Sequence, residues 1–91
     1  MSEEIYGWTN KETYRTVLHL QSDLYRTSEG LKRKTKNWIE FSDNLKDLVL
    51  NLRAEVIRNP NQKALGILLD IGSLEEVNFD EIARSFLGVD L

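Results

Sequence analysis

The chain lacks cysteine and contains few of the other residues from which catalytic and ligand-binding sites are often built. Its 91 residues include no cysteine, one histidine and one proline. The absence of cysteine excludes disulfide bonds, zinc sites built from thiolates and cysteine nucleophiles. The five glycines are scattered, so the sequence contains no glycine-rich loop of the kind that binds phosphate groups. Enzymes that depend on any of these features are therefore excluded.

Long apolar runs are missing as well. No run approaches the roughly 20 residues that a membrane-spanning helix needs, and the acidic start Met1-Ser2-Glu3-Glu4 lacks the apolar stretch of a secretory signal. Hydrophobic residues make up 41% of the chain and charged residues 30%, which is typical of a folded domain rather than a disordered one. We therefore expect residues 1–91 to form a single domain, located in the cytoplasm.

The apolar residues recur with the spacing of α-helices along the whole chain. The clearest stripe runs from Leu45 to Ile57 in steps of three and four and should end before Pro60. Residues 62–71 are apolar nearly all round, which predicts a helix at the centre of the domain, ended by Gly72. We predict an all-α fold, a compact bundle of four or five short helices behind an irregular lead. The predicted core is Tyr14, Val17, Leu18, Trp38, Leu45, Leu48, Val49, Leu52, Leu65, Leu68, Leu69, Phe79, Ile82, Ala83 and Phe86.

Three helix starts are also indicated by the sequence. Thr9 with Glu12, and Asn78 with Glu81, have the spacing of a capping box. In such a box the first side chain binds a free backbone N–H of the first turn and the acidic one reaches back to the cap. Ser42 is the predicted cap of the long central helix.

Two segments of the chain resemble one known family. Residues 7–14 (GWTNKETY) resemble the GWTN-x-ETW segment near the start of a family of small uncharacterised proteins of phages, plasmids and bacteria. Residues 77–83 (VNFDEIA) are similar to a V-N/D-W-x-x-I-A element near the end of these proteins. Tyr14 and Phe79 stand where the family has tryptophan, and keeping a large ring favours packing over chemistry. The resemblance implies a setting in mobile elements and their conflict with hosts, without a specific activity.

No set of residues in the sequence predicts catalysis. His19 is the only histidine, and among its helical neighbours only Asp23 could act as a ligand or partner. A surface histidine paired with Asp23 is the simpler interpretation. The acidic residues of the segment 75–81 lack the alternating oxygen ligands and central glycine of a calcium loop. We therefore expect no enzyme activity, no cofactor and no metal.

The charge is spread unevenly, although the net charge of −3 is mild. Residues 70–91 contain six acidic residues against one arginine. An acidic surface suits a basic groove on a partner protein. The first hypothesis is therefore a non-enzymatic protein-interaction module from a phage or mobile element, which binds and modulates a host protein complex as a candidate inhibitor of host defence. The residues predicted to bind this partner are Trp8, Glu75, Glu76, Asp80 and Glu81.

The alternative is a small nucleic-acid-binding accessory protein. Residues 26–36 contain five lysines and arginines against one glutamate, and are predicted to form a basic loop or the start of a helix. Tyr25 and Trp38 lie beside them and could stack on bases. The residues predicted to contact nucleic acid are Lys32, Arg33, Lys34 and Lys36. A homodimer that covers residues 64–71 is compatible with either function.

Overall fold

The computed structural model describes residues 7–88 and confirms the all-α prediction. Over this range it contains five α-helices and a short 3₁₀ turn, without a β-strand. None of these helices is both long and apolar enough to cross a membrane. The irregular lead predicted for residues 1–8 falls mostly outside the described residues. The elements are α1 (Lys11–Leu20), α2 (Tyr25–Lys34), α3 (Trp38–Arg58), α4 (Gln62–Ile71), the 3₁₀ turn Leu74–Glu76 and α5 (Phe79–Leu87).

The first helix begins one residue later than the predicted capping box requires. Asn10 is the N-cap of α1, and its side-chain oxygen accepts a hydrogen bond from the backbone N–H of Thr13 at 2.8 Å. The prediction that Thr9 caps this helix, with Glu12 as its partner, is therefore wrong. Asparagine is at least as good an N-cap as threonine, so the neighbouring residue takes the role.

The basic segment forms a separate helix. Of the two alternatives for residues 26–36, a basic loop or the start of a helix, the structure shows a helix over most of the segment, because residues 25–34 make up α2. This helix is distinct from α3 because Asn37 begins α3 afresh. Its extended backbone breaks the run, and its side chain accepts a hydrogen bond from the backbone N–H of Glu40 at 2.9 Å.

The predicted cap at Ser42 is also wrong, because α3 already begins at Trp38. Ser42 lies inside the helix and is buried, with 4% of its surface exposed. Its hydroxyl donates a 2.6 Å hydrogen bond to the carboxylate of Asp80 in α5. A hydroxyl that resembles a cap in the sequence thus joins two helices in the fold.

Three other predicted helix boundaries are confirmed: the ends of α3 and α4 and the start of α5. α3 ends at Arg58, just before Asn59-Pro60, where proline cannot continue the hydrogen-bond ladder. α4 ends at Gly72, whose φ of 91° is a conformation that favours glycine. Asn78 caps α5 as predicted, by accepting a hydrogen bond from the backbone N–H of Glu81 at 3.1 Å.

The core lies mainly between α3 and α5, with α1 and α4 against its sides. The prediction that α4 is central is wrong. Leu65 and Leu69 are 40% and 73% exposed, and Leu18 of α1 is 43% exposed. A domain of this size has few layers, so each helix keeps one face at the surface even when its sequence is apolar all round. The buried hydrophobic residues are Val17, Leu20, Phe41, Leu45, Val49, Ala64, Ile67, Ile71, Leu74, Val77, Phe79, Ile82 and Ala83.

Candidate functional site

The segments 7–14 and 77–83, far apart in sequence, lie side by side and form a polar contact that we term the motif seam. It joins the N-terminal end of α1 to the N-terminal end of α5 and to the 3₁₀ turn before it. Three hydrogen bonds hold the seam, from Thr9 N to Glu81 Oε1 (3.2 Å), from Asn10 Nδ2 to the backbone oxygen of Glu76 (2.7 Å) and from Asn78 N to Thr13 Oγ1 (2.9 Å).

The motif seam uses the capping groups in a way the sequence does not reveal. Glu81 has the spacing to bind the backbone N–H of Asn78, but its carboxylate binds Thr9 instead. The N–H of Asn78 is satisfied by Thr13, which is completely buried. These polar side chains therefore bind backbone groups of the neighbouring helix end, which is a structural task.

His19 lies in a charged network that links α1 to α4. Its Nδ1 is 3.2 Å from the carboxylate of Asp23, which confirms that predicted pair, and its Nε2 is 2.8 Å from the carboxylate of Asp70. Arg15 reaches the same Asp70, with a 2.8 Å hydrogen bond to its backbone oxygen. No group of three or more potential ligands among residues 7–88 is arranged to hold a metal ion. Asp70 was missed by sequence reasoning because it lies in a different helix.

A cleft with acidic walls lies where α3 meets the 3₁₀ turn and the start of α5. It consists of two adjoining depressions of about 420 Å³ and 350 Å³, which share Lys46, Glu75, Val77 and Phe79. The larger depression is mainly polar and the smaller has apolar walls. We term the two together the acidic cleft. Its other main lining residues are Ser42, Asp43, Glu76 and Asp80 in the larger depression, and Leu50, Arg53 and Leu74 in the smaller.

The carboxylates of the acidic cleft differ in how they are held. Glu75 is bound by its own backbone N–H, by the Arg53 guanidinium at 3.1 Å and by the Ser73 hydroxyl at 3.1 Å. These donors, the backbone N–H foremost, lower the pKa of the Glu75 carboxyl below its ordinary value. The carboxylates of Glu76 and Asp43 are exposed and have no hydrogen bond or ion pair with any residue in the range 7–88. These two are therefore available to a cationic partner.

The predicted partner-binding residues divide between three places. Glu75, Glu76 and Asp80 line the acidic cleft. Glu81 is half-buried in the motif seam. Trp8 packs against the core and lines a different depression, although the next residue, Thr9, lines the cleft. Asp43 was missed, because only the fold brings this position of α3 beside the 3₁₀ turn.

A separate depression, outside the acidic cleft, has aromatic walls and lies beside α2. It measures about 300 Å³, and we term it the aromatic depression. Of the predicted nucleic-acid contacts, Lys32 alone lines it. Trp38, which was expected to stack on bases, does not line it. Its ring is covered by the guanidinium of Arg84, which lies 4.9 Å from the ring centroid. The principal lining residues of the aromatic depression are Trp8, Tyr25, Glu29, Lys32 and Phe86.

The other predicted nucleic-acid contacts lie at the end of α2 and just after it. Arg33, Lys34 and Lys36 are exposed. Across the part of the chain that the structure describes, neither they nor Lys32 enters an ion pair, so the basic segment does not neutralise the acidic one. Cations in the last turn of a helix are favourable beside its negative end, which accounts for Lys32, Arg33 and Lys34 without a ligand.

Comparisons of the chain with protein-family models, with curated proteins and with solved structures give no match. The surfaces of the chain itself are therefore the basis for a functional proposal. They are the acidic cleft, the aromatic depression with the basic end of α2, and the exposed face of α4.

Proposed function

We propose that this chain is a small non-enzymatic interaction module of a phage or other mobile element, which binds a host protein complex and modulates it. The acidic cleft is the docking site, and its occupant is a basic segment of the partner protein. The observation that carries the proposal is the pair of uncommitted carboxylates, Glu76 and Asp43, which line the larger depression beside the smaller one with its apolar walls.

The two halves of the acidic cleft supply two different contributions to binding. The exposed carboxylates attract a basic segment and set its orientation, which mainly affects specificity and association rate. The apolar walls around Leu50 and Phe79 can bury a hydrophobic side chain of the same segment. Burial of such an anchor contributes most of the affinity at protein interfaces. A partner segment that alternates lysine or arginine with one apolar anchor fits both halves.

The surroundings of His19 support binding rather than catalysis. Each ring nitrogen already faces a carboxylate, Asp23 on one side and Asp70 on the other. The histidine does not line the acidic cleft. A general acid or base needs a nitrogen within reach of the substrate, whereas here Nδ1 contacts Asp23 in the turn after α1 and Nε2 ties α1 to α4 through Asp70. We expect this chain to modulate a host-defence complex by occupying a basic site on it.

Affinity capture from the native host, followed by mass spectrometry, tests the proposal. Three baits are compared: the unchanged chain, the variant Asp43→Lys/Glu76→Lys, and the control Lys32→Glu/Lys34→Glu. The two charge reversals are equal in size and lie on different elements. The unchanged chain and the control should retain one stoichiometric partner, which the acidic-cleft variant loses. Capture of the same partner by all three baits, or of none by any, would contradict the proposal.

A second candidate function is single-stranded nucleic-acid binding, and one observation favours it. Three aromatic residues, Trp8, Tyr25 and Phe86, line the same depression as Lys32. Bases stack on aromatic rings while lysine contacts the phosphates, and such binding weakens steeply with salt. Fluorescence anisotropy with a labelled single-stranded oligonucleotide at several salt concentrations measures it. Unchanged affinity after Lys32→Glu/Lys34→Glu would dispose of this alternative.

A further inference from the structure

One face of α4 is apolar at its centre and open to solvent. Gln62, Leu65, Gly66 and Leu69 follow the spacing i, i+3, i+4, i+7 and are all exposed. Leu69 is 73% exposed, and a Cβ atom placed on Gly66 meets no heavy atom within 4 Å. Residues 7–88 therefore do not cover this face, and it has a glycine at which another backbone can approach closely.

The charges beside this face have opposite signs at its two ends. Lys63 and Asp70 are seven residues apart and so lie on the same side of the helix. Lys63 has no ion pair with any residue that the structure describes. Asp70 contacts Arg15 and His19, but its side chain remains 50% exposed. The helix dipole adds positive charge at the Lys63 end and negative charge at the Asp70 end.

We propose that this face of α4 is a homodimer interface whose occupant is the same face of a second copy, packed antiparallel. In this arrangement Leu65 and Leu69 of each copy cover the other helix, with Gly66 near the crossing. Lys63 lies toward Asp70 of the partner subunit, and the two helix dipoles oppose each other. A parallel arrangement would bring like charges together, so the charge pattern selects the antiparallel one.

The interface is small, which sets the strength of association. A helix of ten residues is about 15 Å long, and stable protein complexes usually bury at least about 1,200 Å². The dimer is therefore reversible and forms as the concentration rises. It leaves the acidic cleft, built on α3, the 3₁₀ turn and α5, to the partner protein, so this inference does not depend on the proposed function.

Sedimentation equilibrium of the full chain, from the low micromolar to the millimolar range, measures the association. Leu69→Lys places a charge in the apolar face and should weaken the dimer by about tenfold or more. Gly66→Lys tests the same face without loss of folding, because the space around Gly66 is open and lysine is the better helix former. Its melting temperature should be unchanged or higher while its dimer is lost. Ile39→Lys, at a similarly exposed apolar residue near the start of α3, is the control.

Each outcome bears on the proposal. Dimerisation of the unchanged chain and of Ile39→Lys, with loss in Leu69→Lys and Gly66→Lys, supports it. Lys63→Glu should also weaken the dimer, because it would place two negative charges together. A chain that stays monomeric throughout the range overturns the proposal, and so does a dimer that survives both α4 substitutions or is lost equally in the control.

Discussion

The hydroxyl of Thr13 accepts a hydrogen bond from the backbone N–H of Asn78 at 2.9 Å, and this contact joins α1 to the start of α5. Thr13 is completely buried, and Asn78 is half-buried. Asn78 also caps α5 with its side chain. The motif seam therefore fixes the end of one helix against the end of another, and the first prediction concerns this bond.

Replacement of Thr13 by valine should lower the free energy of unfolding by about 1 kcal/mol, the usual net contribution of one hydrogen bond. Valine has nearly the same shape, but it leaves the backbone N–H of Asn78, in this part-buried contact, without its acceptor. Thr16→Val is the matched control, since Thr16 is equally buried and its hydroxyl only donates to the oxygen of Glu12 in its own helix. Urea denaturation of both variants measures the difference. An equal loss in the two would show that the Asn78 contact has no particular importance.

The second prediction distinguishes the two candidate caps of α1. Asn10→Ala should destabilise the domain by more than about 1 kcal/mol, the usual cost of a lost N-cap. It leaves the backbone N–H of Thr13 without its side-chain acceptor, and it also removes the seam hydrogen bond to the backbone oxygen of Glu76. Thr9→Ala should cost much less, since Thr9 contributes its backbone N–H to the seam rather than its side chain. Thermal unfolding followed by circular dichroism compares the two. A larger loss for Thr9→Ala would restore the capping box expected from the sequence.

The features that the sequence predicts correctly are local. Pro60 and Gly72 end their helices through their own backbone preferences, so no tertiary contact is needed to place those ends. Where two neighbouring residues can both cap, as at Thr9 and Asn10, local preference does not decide between them. At Ser42 the local pattern misleads, because the hydroxyl is used for a contact with α5.

The features that the sequence does not predict depend on contacts between distant segments. Asp70 meets His19 only because α4 folds beside α1, and Asp43 faces the 3₁₀ turn only because α3 packs on α5. The exposure of Leu65 and Leu69 depends on the number of layers that the domain can form rather than on the pattern of α4 itself. The sequence shows that acidic residues cluster in the segment 75–81. Only the fold shows which carboxylates have no hydrogen bond or ion pair with the described residues.

The third prediction concerns pH. The donors around Glu75 lower the pKa of its carboxyl, so the charged form is favoured in the folded state. This contribution to stability is present above the pKa of the unfolded chain and is lost as the pH falls through the lower pKa of the folded state. Arg53→Gln removes one donor and should raise the pKa of Glu75. Carbon-detected NMR titration of the glutamate carboxyls measures the change, and an unchanged midpoint would show that Arg53 does not act on Glu75.

The fourth prediction addresses binding in place of stability. Glu76→Lys should abolish or strongly weaken capture of the host partner while leaving the unfolding transition nearly unchanged, because its exposed carboxylate has no hydrogen bond or ion pair with any of residues 7–88. Surface substitutions of this kind usually change stability by no more than about 0.5 kcal/mol. Isothermal titration with the purified partner and thermal unfolding give the two values. A fall in stability as large as the fall in affinity would indicate that the residue supports the fold instead.

Site-specific photo-crosslinking in the native host tests the central claim most directly. A photoreactive amino acid replaces Lys46, which lines both depressions of the acidic cleft, in one variant and Lys34 at the end of α2 in another. Both variants keep the carboxylates of Asp43 and Glu76, and the crosslinked species are identified by mass spectrometry. We predict that the probe at position 46 captures a host protein through a basic segment, while the probe at position 34 does not. Capture at position 34 alone, or crosslinks to nucleic acid at position 34 with none at position 46, would contradict the account.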